Sequence, residues 1–298
     1  MTALLLLCFS FLLLSGCGGI SLTEKSSGED GGISVSSPSH PGFITREELN
    51  AILADQPAVP SKADKRIVSA VMPHHLTAAR LINDLMQILA AQEPGLIILV
   101  GPNHLNNGNR IITGLDNWET PEGLVETDQP TVNLLLKNSL ASRDEGTLSS
   151  EHSIGSLAPL IKHYLPKAKI VPLILHHDVT LQEVNTLLAG LEPCLNEHTV
   201  LISSVDFSHY LTRVEAQGKD RETLKYMQEF DYPALFRLGN DYLDSPASLA
   251  ASFRLAEKQG IRAFHVLGNT NSGILLQNDM IQTTSYFTLV FYADTDSD

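Results

Sequence analysis

Cysteine is scarce: three residues, Cys8, Cys17 and Cys194, occur among 298. A disulfide framework is thereby excluded, and stability must come from apolar burial. Positive charge is also short, with 20 Lys and Arg against 34 Asp and Glu, a net of −14 that opposes any binding to phosphate backbones driven by counterion release. Nucleic acid is therefore excluded as a partner. Aromatic residues make up only 6% and include one tryptophan, Trp118. No apolar run approaches the roughly 20 residues that cross a bilayer as a helix. HExxH, paired CxxC, GxxxxGK[ST], post-strand GxGxxG and GxSxG are all missing, which removes the usual support for a zinc peptidase, a P-loop enzyme, a Rossmann dehydrogenase or an α/β-hydrolase.

What is present begins with residues 4–14, LLLLCFSFLLL, eleven positions with the length of a signal-peptide apolar core. They lead into Leu14-Ser15-Gly16-Cys17, which resembles the lipobox of bacterial lipoproteins. That resemblance implies a signal peptide over residues 1–17, lipid on Cys17 and an anchored protein of the bacterial envelope that faces the periplasm. Gly18 in place of aspartate points to the outer membrane. No Lys or Arg precedes the run, so the usual positive start is missing. Residues 18–43 are rich in Gly, Ser and Pro and read as a disordered tether.

A folded domain is expected over 44–298. Thr45 and Glu48 have capping-box spacing and open a helix. Apolar runs at 67–72, 96–100, 111–115, 170–175 and 200–203 then alternate with helix-period segments at 76–91, 129–138, 153–164 and 181–190. This alternation predicts a single α/β domain, with a mainly parallel central sheet flanked by helices on both faces. Further helices are predicted at 213–229, 233–238 and 246–258, and closing strands at 263–267 and 285–293.

Four polar clusters follow strands or open helices: Met72-Pro73-His74-His75, Gly101-Pro102-Asn103-His104, Glu151-His152-Ser153-Ile154 and Asp206-Phe207-Ser208-His209. Ligands of open α/β sheets sit beyond the carboxyl ends of strands, so these clusters are placed to converge. Neutral imidazole is the commonest transition-metal ligand, and adjacent strands bring His74 and His104 to one cation. Asp206, at a strand end, is expected to orient His209 or His104 by accepting an N–H. His152 is expected to line the pocket and Glu151 to open a helix, while His176-His177 reads as an exposed pair. Trp118 either walls the pocket or packs in the core.

In order and content these four motifs resemble the Memo family, known in microbes as AmmeMemoRadiSam system protein B, over about residues 67–292. The resemblance implies a fold similar to the class III extradiol dioxygenases. It places His74 and His104 on the iron- or copper-binding positions, and His209 on a pocket histidine that acts as acid/base in the dioxygenases. It also implies AMMECR-like and radical SAM partners. The sequence departs from the family at His75-Leu76, where Ala-Gly is usual, at Val205, where a second serine is usual, and at Gly155, where glutamate is usual. The family's third ligand is often a late cysteine, and no cysteine follows Cys194. The counterpart is Asp244, which either completes a two-histidine, one-carboxylate set or serves the dipole of the helix opened by Ser245 and Pro246. The expectation is a non-haem, dioxygenase-like metal protein. Fe(II) is the expected metal and copper the alternative, with His209 and His152 moving protons on an oxygen or aromatic-diol substrate. The competing expectation is a lipid-anchored binding protein that uses the same pocket without catalysis.

Overall fold

Four strands that are apolar on both sides form the centre of the molecule, and helices on each face complete their burial. The computed structural model describes residues 37–54 and 65–293. Its strands are, in chain order, β1 (Ser39–His40), β2 (Ile67–Met72), β3 (Leu96–Pro102), β4 (Ile111–Thr113), β5 (Asn117–Thr120), β6 (Gly123–Val125), β7 (Ser142–Arg143), β8 (Lys169–Leu175), β9 (Thr199–Ser204), β10 (His265–Asn271) and β11 (Ser285–Tyr292). Eight of them make one sheet in the order β10-β11-β2-β9-β3-β8-β4-β7. The central β2, β9, β3 and β8 are parallel, whereas β11 and β4 run antiparallel to β2 and β8. β1, β5 and β6 form a second, small sheet.

Side-chain alternation sets the layers. Ile97 and Leu99 of β3, with Val200 and Ile202 of β9, pack under Ile82, Leu85, Met86 and Leu89 of the helix Ala79–Gln92. Ile98 and Val100, with Leu201, face Val184, Leu187 and Leu188 of the helix Leu181–Leu191 and Phe253 of the helix Pro246–Lys258. Each such side chain stabilises the fold by about 1.5–3 kcal/mol. The expected α/β domain with flanking helices is thus what the chain forms, with antiparallel strands added at the sheet's edges.

Two local features govern where the functional residues end up. The helix Pro246–Lys258 turns small residues to the sheet, and hydroxyls stitch it down: Ser203 Oγ donates to the Ser248 carbonyl at 2.5 Å and Ser252 Oγ to the Ala70 carbonyl at 2.6 Å. That fixes the helix start and Asp244 just before it. The predicted helix over 153–164 is instead broken into His152–Gly155 and Ala158–Tyr164, so its first turn faces β3 independently. Gly101 permits this approach, since a Cβ there would lie 2.5 Å from Ser153 Oγ.

Residues 39–40, expected to lie in the tether, form a strand. Ser39 and His40 pair in parallel with Asn117 and Trp118, and the His40 ring lies tilted against Trp118 with ring centroids 4.3 Å apart. Trp118 is accordingly a buried packing residue. The expectations of a signal peptide, a lipidated Cys17, a membrane partner and an outer-membrane address rested on residues 1–36, which lie outside the described residues. Membrane anchorage is corrected: among the described residues no helix is long and apolar enough to cross a membrane. Helices of the domain spend their apolar faces on the sheet, so the described residues supply nothing for the membrane partner and outer-membrane address expected from the sequence.

One buried carboxylate gives the fold a pH dependence. Asp220, on the helix Arg213–Glu229, accepts from Ser285 Oγ at 2.5 Å and Asn269 Nδ2 at 3.0 Å, and burial pushes its pKa up to about 6. A carboxyl raised in the folded state contributes stability that is complete below its ordinary pKa and is lost as pH rises through about 6. Between about pH 4 and about pH 8, the Asp220→Asn variant is expected to gain about 2–3 kcal/mol relative to wild type in urea titrations. A difference that does not change with pH would show that burial does not raise the Asp220 pKa above its unfolded value.

Candidate metal centre

The ends of β2, β9 and β3 lie side by side, and each delivers one polar residue to the same point. Pro73 and His74 follow β2, Val205 and Asp206 follow β9, and Asn103 and His104 follow β3. Asp244 arrives from the start of the helix Pro246–Lys258, where the backbone N–H groups of Asp206 and Asp244 lock the two loops together: Asp206 N donates to Asp244 Oδ2 at 3.1 Å and Asp244 N to the Asp206 carbonyl at 3.0 Å.

Hydrogen bonding assigns the tautomers of both histidines. Ser204 Oγ gives its single proton to the Ser153 carbonyl at 2.7 Å, so the contact of 3.0 Å between His74 Nδ1 and Ser204 Oγ must be donated by the imidazole. Nε2 of His74 is then a bare lone pair. It points at Asp206 Oδ2, 3.6 Å away, and Asp244 Oδ2, 3.5 Å away. His104 Nδ1 lies 2.7 Å from Glu151 Oε1, and its backbone N–H donates to Glu151 Oε2 at 2.9 Å. Although burial disfavours the Glu151 charge, the His104 ring and the Ser153 and His104 N–H groups hold its pKa down at about 2. An ionised Glu151 requires the His104 proton on Nδ1, which leaves Nε2 free 3.9 Å from Asp244 Oδ2.

Electrostatics sharpen this arrangement. Burial keeps the His74 imidazole well below its ordinary pKa, and His104 and His152 add to the effect, so His74 is neutral at pH 7. Burial and then the Asp206 carboxylate push Asp244 well above the usual range. Asp244 Oδ1 is buried without a hydrogen-bond partner. Neutral nitrogens and carboxylate oxygens therefore meet at a point that needs positive charge: a proton in the metal-free chain, or a cation.

His152 stacks on His104 with centroids 3.9 Å apart, and one donor atom each from His74, His104 and His152 lie within 4.8 Å of one another. His209 faces the same cleft, which has a volume of about 510 Å³ and is walled by Phe43, Ile44, Leu76 and Tyr210. Its Nδ1 is buried and unpartnered. Burial lowers the His209 pKa, partly offset by Asp206.

Several expectations change at this point. Asp206 accepts the backbone N–H of His74 at 3.1 Å rather than orienting His209 or His104. The residue that orients His104 is Glu151, which also caps the turn by accepting from Ser153 N at 2.9 Å. The sequence offered one signal for this double use, a carboxylate beside His152. Ser245 caps the helix as expected, its Oγ taking the Ser248 N–H at 3.1 Å, while Asp244 Oδ2 takes the Asp206 N–H. Phe43 was read as tether, yet its ring fills the space over Gly155, where a Cβ would lie 2.1 Å from it. The glutamate usual in the resembling family could not occupy that position here.

Histidines and carboxylates gathered at the carboxyl ends of parallel strands define an α/β protein with a potential metal-binding site. Comparison with known sequences narrows the class. Residues 44–290 match the family described as Memo-like protein, and the chain belongs to the Memo family. A MEMO1 family protein of Methanopyrus kandleri is 29% identical over 206 residues, covering 66% of this chain and 72% of its own. One from Methanosarcina barkeri is 27% identical, covering 76% and 87%. Another, from Archaeoglobus fulgidus, is 27% identical over 82% of this chain and 94% of its own. These names state no substrate, metal or partner, and the AMMECR-like and radical SAM partners expected from the sequence have no counterpart among them.

Proposed function

We propose that the cleft is the metal centre of a non-haem oxidoreductase of the class III extradiol dioxygenase type, with His74, His104 and Asp244 as ligands to Fe(II). The observation that carries this reading is the meeting of two imidazole lone pairs with the Asp244 carboxylate. Two histidines and one carboxylate suit Fe(II), whereas a thiolate in place of Asp244 would favour Cu(I). When bound, such a metal supplies a Lewis-acid centre with open positions for a substrate oxygen and for O₂.

The remaining chemistry belongs to the chain. Ser204 and Glu151 hold His74 and His104 in the ligating tautomer. His209, neutral at pH 7 through burial, takes the proton of a substrate hydroxyl, and His152 serves the same end from the more exposed side. Phe43, Ile44, Leu76 and Tyr210 provide apolar walls suited to the ring of an aromatic diol. Metal analysis of protein purified anaerobically without a His tag tests the reading. About one Fe(II) per chain is expected at the cleft in wild type and none there in His74→Ala/His104→Ala. Equal iron in both would overturn the assignment. His209→Ala is expected to keep the iron and lose oxidative turnover of a catechol.

A further inference from the structure

The exposed histidine pair that follows β8 is better organised than its sequence suggests. His176 N donates to the Arg110 carbonyl at 2.8 Å, and His177 N donates to Asn106 Oδ1 at 2.8 Å, so both residues start from a fixed backbone. Their rings lie 4.5 Å apart between centroids. Asp178 Oδ1 is 2.6 Å from His176 Nδ1, and one donor atom from each of His176, His177 and Asp178 lies within 4.8 Å of the others. Arg110 grips Asp178 Oδ2 at 2.6 Å, but it also pairs with Glu183 at 2.6 Å, so one guanidinium faces two carboxylates and the local balance stays negative. A cation is favoured there.

The cluster also has a route inward. His177 lines a cavity of about 300 Å³ together with Asn103, Asn106, Asn240, His104 and Asp244. Its lining shares His104 with the 510 Å³ cleft and adds Asp244, which does not line that cleft.

We infer that His176, His177 and Asp178 form a second, surface site for a borderline divalent cation, and that it is where a cation bound for the buried residues is first captured. Two imidazoles with a carboxylate beside them, and no thiolate, match a borderline divalent ion such as Fe(II) or Zn(II). The capture role rests on the metal centre proposed above, while the surface site itself does not.

Equilibrium dialysis with Zn(II) separates the two. Wild type is expected to bind two equivalents in two affinity classes. His176→Ala/His177→Ala should lose the weaker class, and His74→Ala/His104→Ala should keep it. Asp178→Asn should weaken that class about tenfold with an unchanged melting temperature. Unaltered stoichiometry and affinities in His176→Ala/His177→Ala would overturn the surface site. Retention of the weaker class after loss of the buried histidines would support it even if the buried pair binds nothing. With Zn(II) limiting, occupancy of the buried site should rise several-fold more slowly in His176→Ala/His177→Ala, and an unchanged rate would overturn capture.

Discussion

Asp244→Asn is expected to move metal affinity and metal-free stability in opposite directions. The substitution keeps an acceptor for the Asp206 N–H but removes a carboxylate that burial and Asp206 both disfavour. Without metal, the variant should therefore unfold at a higher temperature than wild type at pH 8, where the wild-type carboxyl is most costly. A group whose folded pKa is raised gives up stability as pH rises through that value, so the advantage should shrink toward about pH 4. Fe(II) affinity should fall at least about 100-fold, because a ligand is lost along with the charge that offsets the cation. Asp244→Cys should shift preference toward Cu(I). A purely structural Asp244 would instead lower stability and leave the metal isotherm unchanged. Calorimetric melting and Fe(II) titration on the same sample read both signs.

Glu151 carries the second large effect. It is buried, and it meets the His104 ring, the His104 N–H and the Ser153 N–H at once. Glu151→Ala leaves these donors without their acceptor and is expected to cost about 2–4 kcal/mol. For a domain of this size that is a fall of roughly 5–15 °C in melting temperature. Glu151→Gln keeps the shape and loses the charge, so the His104 proton is free to move to Nε2. Metal affinity should drop about 10–100-fold in Glu151→Gln, with a smaller stability change than in the alanine variant. Equal metal affinity in wild type and Glu151→Gln would mean that Glu151 does not set the His104 tautomer. Nitrogen chemical shifts of the His104 ring would report the tautomer directly.

The central strands were legible because burial on both faces makes β3, β8 and β9 read as unbroken apolar runs. The helix 246–258 was legible from its start, Ser245 before Pro246. β1, β5, β6 and β7 were not, since strands of two to four residues have too little period to register. His74, His104 and Asp244 could be chosen because motif order survives in one dimension. What supports them could not: the Ser204 to Ser153 relay, the Glu151 bond to His104 and the seat of Phe43 over Gly155 join residues tens of positions apart. The role foreseen for Asp206 failed for the same reason, because strand adjacency gave it His74 as partner.

The sheet order has a consequence for how the protein comes into being. β2 lies between β9 and β11, so neither strand beside it has been synthesised when β2 leaves the ribosome. The contact of His74 N with Asp206 spans 132 residues, and a polymer must close that loop before the contact repays the entropy spent. Pairing of β2 therefore waits for β9 on one edge and for β11 on the other. His74, His104 and Asp244 can meet only after residue 244 has been made, so any cation they bind adds its stabilisation to strands already paired instead of starting the sheet.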